Sequence, residues 1–260
     1  MISSELEVAL LIVALYASTC VTFVYANEGV LQRVFRGVRL RVADDRVRVM
    51  GRSPIWLNPL TPMFPAFRGQ WGRVEATGVA SRLPARMSEV MAASEILTPY
   101  VFVVFVYAII GTPAALLLVG AAKALPMVGL AYLATVVLVL RVWFLRDRFA
   151  LNGRKFALLA FESVVCLPFS AGMVRRLSLS VLLEEDLASC VADMPVAARA
   201  QAIAVLAARC EDMAGFYADG SPETMRLSRY RAHLSLLAGS EVDVVVPAQD
   251  HNDPGKAEVQ

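Results

Sequence analysis

Apolar residues in this chain gather into uninterrupted runs, and those runs predict most of its architecture. Val8 to Asn27 is 20 residues long and uncharged, close to the ~20 needed to cross a ~30 Å hydrocarbon core. A secretory signal would carry basic residues ahead of such a run. Glu5 and Glu7 stand there instead, so the run reads as an uncleaved transmembrane anchor. Ile96 to Ala122 gives 27 uncharged residues and Ala124 to Leu140 another 17, separated by Lys123 alone. The pair reads as a transmembrane helical hairpin over 96–145, turning at Lys123 and Pro126, with Arg141 snorkelling to an interface. Pro113 is expected to kink the first arm and free a carbonyl one turn earlier. Gly111, Ala115, Ala131 and Thr135 are the small residues that let the arms approach.

Phe156 to Val174 is a further run of 19 residues, interrupted by Glu162 and Pro168. A fourth span would bury that carboxylate at about 2.5–3.5 kcal/mol on insertion scales. An interfacial or re-entrant segment over 146–176 is therefore favoured, ended near Pro168 and Gly172.

Between the apolar runs the period changes. Val38 to Met50 alternates apolar and basic residues around Asp44-Asp45, which predicts a β-hairpin with Leu40, Val42, Val47 and Val49 on one face. Arg39, Arg41, Arg46 and Arg48 would share the other, as a patch for an anion or an acidic partner. Arg41 would then face Arg48 directly. The segment from Pro54 to Trp71 has too many prolines for a long helix. Trp56, Phe64, Phe67 and Trp71 there suit either an interface-seated loop or a small core under the hairpin. Arg82 to Ile96 predicts a helix with a short apolar stripe, Leu83, Met87, Val90 and Met91, which breaks near Pro99.

From residue 177 the pattern is amphipathic and helical. Ser180 caps a first expected helix carrying Leu183, Leu187, Cys190, Val191 and Met194. A second starts at Asp193 and Pro195, and a third follows the turn Gly220-Ser221-Pro222-Glu223. Residues 177–240 thus read as an acidic helical module, and 241–260 as a disordered tail. The expected fold class is mainly α and integral to a membrane. It comprises an anchor (1–27), a basic loop with a β-hairpin (28–95), the helical hairpin, the interfacial segment, the bundle and the tail.

Composition agrees with this division. Apolar residues make up 57% and charged residues 18%, against about 45–50% and about 25% in soluble domains. Basic residues are 22 Arg and 3 Lys, a bias that fits a bacterial source. Residues 1–176 carry 19 basic and 10 acidic residues, a net +9, whereas 177–260 carry 6 and 13, a net −7. No basic residue precedes the first run, while 28–95 holds 11 Arg and 141–155 holds five basic residues. The positive-inside rule then places the N-terminus outside and the long loop and C-terminus in the cytoplasm of a bacterial inner membrane.

Candidate chemistry is sparse. The four cysteines form no C-x-x-C, and neither histidine has metal-ligand spacing, so no metal or other cofactor is expected. No G-x-S-x-G, H-E-x-x-H or phosphate-binding glycine loop occurs. Glu162 is the one ionisable residue within an apolar run. Its simplest partners are water or Arg154 and Lys155. The expected function is a non-enzymatic accessory, scaffold or assembly subunit presenting a cytoplasmic module. Its expected partners are the lipid bilayer and a protein or second copy of the chain, with no nucleic acid. Alternatives are an oligomeric transporter or channel component, and an enzyme acting on lipid through Glu162.

Overall fold

A computed structural model of the chain describes residues 4–34, 37–43, 48–72, 85–192 and 194–239. The protein is mainly helical with a small β-sheet region. The first helix, α1 (Ser4–Thr19), takes in Glu5 and Glu7 ahead of the apolar run and ends eight residues before the run does. At 16 residues it is about 24 Å long. Its last turn is closed by Ser18 and Thr19, whose hydroxyls donate to the carbonyls of Leu15 and Tyr16. The rest of the run, rich in β-branched residues, becomes a strand, β1 (Val21–Val24), paired with β4 (Ser53–Trp56). The expectation of one helical anchor reaching Asn27 is corrected accordingly.

A four-stranded sheet follows, in the order β3-β2-β5-β6. β2 (Glu28–Val34) and β3 (Gly37–Val42) form an antiparallel hairpin in which Leu31 faces Leu40 and Val30 faces Arg41. The sequence therefore placed β3 in a hairpin but with the wrong partner, because the mate of β3 precedes it in the chain. β2 is buried on both faces and so shows no alternation. Arg48 lies outside the strands, and Val49 only bridges to Arg52. The expected turn at Asp44-Asp45 and residues Arg46 and Val47 lie outside the described residues, as do Leu83 and the tail from 241. β5 (Ala66–Gln70) pairs with β2 and, in parallel, with β6 (Leu182–Asp186). Leu31, Leu40 and Phe67 point into the large core. Val30 and Ala66 point the other way, onto Val24, Ile55 and Leu57 of the β1–β4 ribbon and its exit.

α2 (Ala85–Phe105) passes through Pro99 without ending, where a break was expected. The reason is its buried stripe, Met87, Val90, Ser94, Leu97, Val101 and Val104, which continues past the proline on one face. Ser94 fits in that stripe because its hydroxyl donates to the Val90 carbonyl. A π-helical turn, Val106–Gly111, leads into α3 (Thr112–Val119). There the Thr112 amide and hydroxyl both bond to the Tyr107 carbonyl. The disturbance expected from Pro113 thus takes the form of a widened turn just ahead of it.

Gly120 alone makes the turn into α4 (Ala121–Leu145), at φ 80°, a value that favours glycine. Lys123 and Pro126, the expected turn, lie within α4. Ala131 and Thr135 are buried, and Gly111 lies where a side chain would meet Met127 sulfur at 3.1 Å. Met87–Val119 and Ala121–Phe149 are long and apolar enough to cross a membrane.

The run from Phe156 is not one helix. After a left-handed Ala150, Asn152 caps α5 (Gly153–Val165) by accepting the Lys155 amide at 2.8 Å. α5 folds back on α4, with the Trp143 and Phe156 rings 4.8 Å apart. The chain breaks at Cys166, two residues before Pro168, makes α6 (Leu167–Ala171), and passes Gly172 into α7 (Met173–Leu179).

The expected first helix of the C-terminal bundle is half strand. Residues 182–186 are β6 and only α8 (Leu187–Ala192) is helical. α9 (Val196–Ala214) and α10 (Pro222–Gly239) match the expectation, α9 lying on β3 and α10 on α9. One hydrophobic core runs from Tyr16 through Leu97 and Leu187 to Leu234. The acidic residues from 177 are therefore not a separate module.

Candidate functional site

The four arginines singled out by alternation do not make one patch. Arg39 is exposed on β3. Arg41 is half-buried and donates to the Trp56 carbonyl. Burial, with Arg39 beside it, lowers its pKa. Arg48 is exposed off the strands, and Arg46 is outside the described residues. The aromatic loop divides between its two alternatives: Phe67 and Trp71 are core, whereas Trp56 stands 52% exposed.

Glu162 is half-buried near the end of α5 and ion-pairs with Arg176 of α7. Arg154 and Lys155, its expected partners, are exposed at the other end of that helix. The pairing brings two segments 14 residues apart into contact and explains how a carboxylate sits among apolar neighbours.

Arg176 also opens onto a cleft of about 410 Å³ that the sequence did not reveal. Five elements build it. The last turn of α1 gives Ser18 and Thr19, β1 gives Val21 and Thr22, and β5 gives Arg68. α6 gives Phe169, and the end of α7 gives Arg176, Leu179 and Ser180. Arg68 is fixed by a 2.8 Å ion pair to buried Glu28, whose other oxygen accepts the Tyr25 amide at 2.9 Å. The Arg176 guanidinium lies 5.5 Å from the centre of the Phe169 ring. Arg68 Nε and Arg176 Nη1 are buried with no hydrogen-bond partner in the protein. Ser18, Thr19 and Ser180 each donate to a carbonyl three residues back, at 2.7 Å, so their oxygens remain able to accept. No spacing rule would have gathered these residues, since they are drawn from positions 18 to 180.

Beside the cleft, Arg175 is fully buried at 0% exposure. Its Nη2 donates to the carbonyls of Asn58 and Thr61 at 2.7 and 3.1 Å. It fastens the loop after β4 to α7, where Tyr16 also donates to the Pro59 carbonyl.

Two buried groups on the C-terminal helices have shifted titration. Tyr230 donates to Asp186 Oδ1 at 2.7 Å. Burial, then the Asp186 charge, raises the Tyr230 pKa well above that of a free phenol. The Cys210 thiol is pushed up to about 11, mainly by burial and secondarily by Asp186. A thiol so raised is a poor nucleophile. Among the described residues no group of three His, Cys, Asp or Glu is placed to hold a metal ion.

No family model, no characterised protein and no solved structure matches this chain.

Proposed function

We propose that the chain is an integral membrane protein of non-enzymatic function, an accessory or assembly subunit that holds a mixed α/β module against the inner face of a bilayer. One observation carries the reading. The large apolar side chains left exposed concentrate on α1, α3, α4 and α5. Leu10, Leu118, Leu133 and Phe161 are examples, and Leu118 is 82% exposed. An apolar surface of that extent on a helical bundle is stable where the surroundings are lipid. The distribution of arginine supports an outside N-terminus, Gly120 outside, and the sheet with α9 and α10 in the cytoplasm of a bacterial inner membrane.

In this reading α1, α2–α3 and α4 cross the bilayer, α1 as a short crossing packed against α3. α5 dips into the inner leaflet with Leu158, Phe161 and Val165 outward, and α6 and α7 bring the chain back. The partner is a protein, or a second copy, that docks on the cytoplasmic module. The enzyme alternative leaned on Glu162, and the ion pair of that carboxylate with Arg176 supports a structural role for it instead.

The test has two parts. Membranes washed with alkaline carbonate should retain the chain, and release into the supernatant refutes the membrane assignment. Detergent-solubilised full chain should co-purify with a stoichiometric partner. Replacing the two exposed residues Arg39 and Arg48 with Glu should reduce recovery at least several-fold, and unchanged recovery removes both from the docking surface.

A further inference from the structure

We infer that the cleft between α1, β5 and α7 binds a singly charged phosphodiester headgroup. Its phosphate is taken by the Arg68 and Arg176 guanidinium groups, and its polar substituent lies against the hydroxyls of Ser18, Thr19 and Ser180. The observations converge from separate parts of the chain. Two arginines on different elements line one open cleft of about 410 Å³. Each uses one nitrogen on a carboxylate, Arg68 on Glu28 and Arg176 on Glu162. Each keeps a further N–H, Nε of Arg68 and Nη1 of Arg176, without a partner in the protein, on a side chain that stays about a third exposed (29% and 32%). Guanidinium donors of that kind suit phosphate oxygens, which they bind as charge-assisted hydrogen bonds.

Charge decides which phosphate. The two guanidinium charges are already offset by Glu28 and Glu162, so the cleft is close to neutral. A polyphosphate would bring several negative charges with nothing to balance them, whereas a phosphodiester brings one. The hydroxyl oxygens, whose protons are donated within their own helices, can accept from an alcohol or ammonium on the headgroup. Val21, Phe169 and Leu179 give the same cleft an apolar side. It lies at the end of α1 that faces the sheet, the level at which the membrane reading puts the inner headgroup layer. The choice of a lipid as the source of the phosphodiester rests on that reading, but the phosphate chemistry does not.

The experiment uses the full chain in dodecyl maltoside micelles, with native mass spectrometry counting what stays bound. Phosphatidylglycerol should be retained as one tightly held molecule, at least tenfold tighter than a diacylglycerol with the same tails. Ser180→Glu places a carboxylate at an exposed position in the cleft and should lower that affinity at least tenfold. The melting temperature should stay within a few degrees of wild type. Glu162→Gln combined with Arg176→Gln removes a guanidinium without stranding a charge and should have the same effect. Ser228→Glu on α10, away from the cleft, should leave binding intact.

Displacement of the lipid by millimolar glycerophosphoglycerol, a soluble phosphodiester, would support the same site with a soluble ligand, and resistance to it supports a lipid. Equal retention of diacylglycerol, or wild-type binding in both cleft variants, overturns the inference. Carbonate extraction reads the membrane assignment separately, so a chain that stays in the membrane yet ignores phosphate refutes only the cleft.

Discussion

Cys210 shows how a single side chain can set the alkaline limit of this fold. Its thiol is buried on α9, and burial with the Asp186 carboxylate nearby lifts its pKa to about 11 from 9.0. The sign follows from proton counting. Between those values the unfolded chain has lost a proton that the folded chain keeps, so stability falls as pH rises. The loss begins near pH 9 and levels off above about 11, and Tyr230, raised for the same reason, adds to it from pH 10 upward. The melting temperature is therefore expected to decline steadily between pH 9 and 10.5. The decline should be shallower in Cys210→Ala. A flat profile in wild type over that range would show that neither group is buried as described. At this scale the sequence offered little. The link of Cys210 and Tyr230 to Asp186 exists only because β6 brings that carboxylate beneath α10.

At the scale of elements, Leu187 at the start of α8 is the piece that locks helix to sheet. Its side chain occupies the space above Gly29 of β2 and Gly69 of β5. A Cβ on Gly69 would lie 2.7 Å from Leu187 Cδ2 and 3.1 Å from Cγ. A Cβ on Gly29 would meet Leu187 Cδ1 at 2.9 Å and also the Arg41 carbonyl oxygen at 3.0 Å. Gly69→Ala is expected to cost about 1–3 kcal/mol, as overpacking does. Leu187→Ala alone should cost about 2–5 kcal/mol by opening a cavity. Because both changes act on one contact, the double variant should be less destabilised than the sum of the two. Gly29→Ala should gain less from Leu187→Ala, since the Arg41 carbonyl is backbone and does not move aside. Denaturant titrations giving additive values for the Gly69 pair would contradict this packing. The helices α9 and α10 were legible from their 3.6-residue period and from the Ser221 cap. The strands β2 and β6 were not, because their burial on the sheet is supplied by segments distant in sequence.

The molecule as a whole is one body with two kinds of surface. Its continuous core joins α1, the long apolar helices, the sheet and the C-terminal helices. Polar ties reinforce that union. Arg33 of β2 pairs with Glu95 of α2 at 2.6 Å, and the Ala66 amide donates to Ser178 at 2.9 Å. Arg226 donates to the Gly72 carbonyl at 2.8 Å, beside the packed rings of Trp71 and Tyr230. A chain truncated after Ser180 loses β6 and Leu187, which uncovers the edge of β5 and the two glycines. Such a truncation is expected to aggregate or be degraded rather than leave a folded remnant. Limited proteolysis of the intact protein should likewise release no stable fragment beginning near residue 177. Recovery of one would restore the idea of an independent module.

The sequence by itself determined the features that depend on neighbours along the chain. These are the apolarity of the two long helices, the break in the run after Phe156, the β-period around Leu40, and the Ser221 cap of α10. Each is set by hydrophobic period, β-branching, proline or glycine within a few residues. Only the tertiary structure decided which strand pairs with β3, that α1 stops at Thr19, and that residues 182–186 join the sheet. It also decided that Arg68 and Arg176 face one cleft. Those outcomes rest on contacts between residues tens to more than a hundred positions apart. No local period encodes them, because the burial and hydrogen bonds that select them form only once the distant segment is in place.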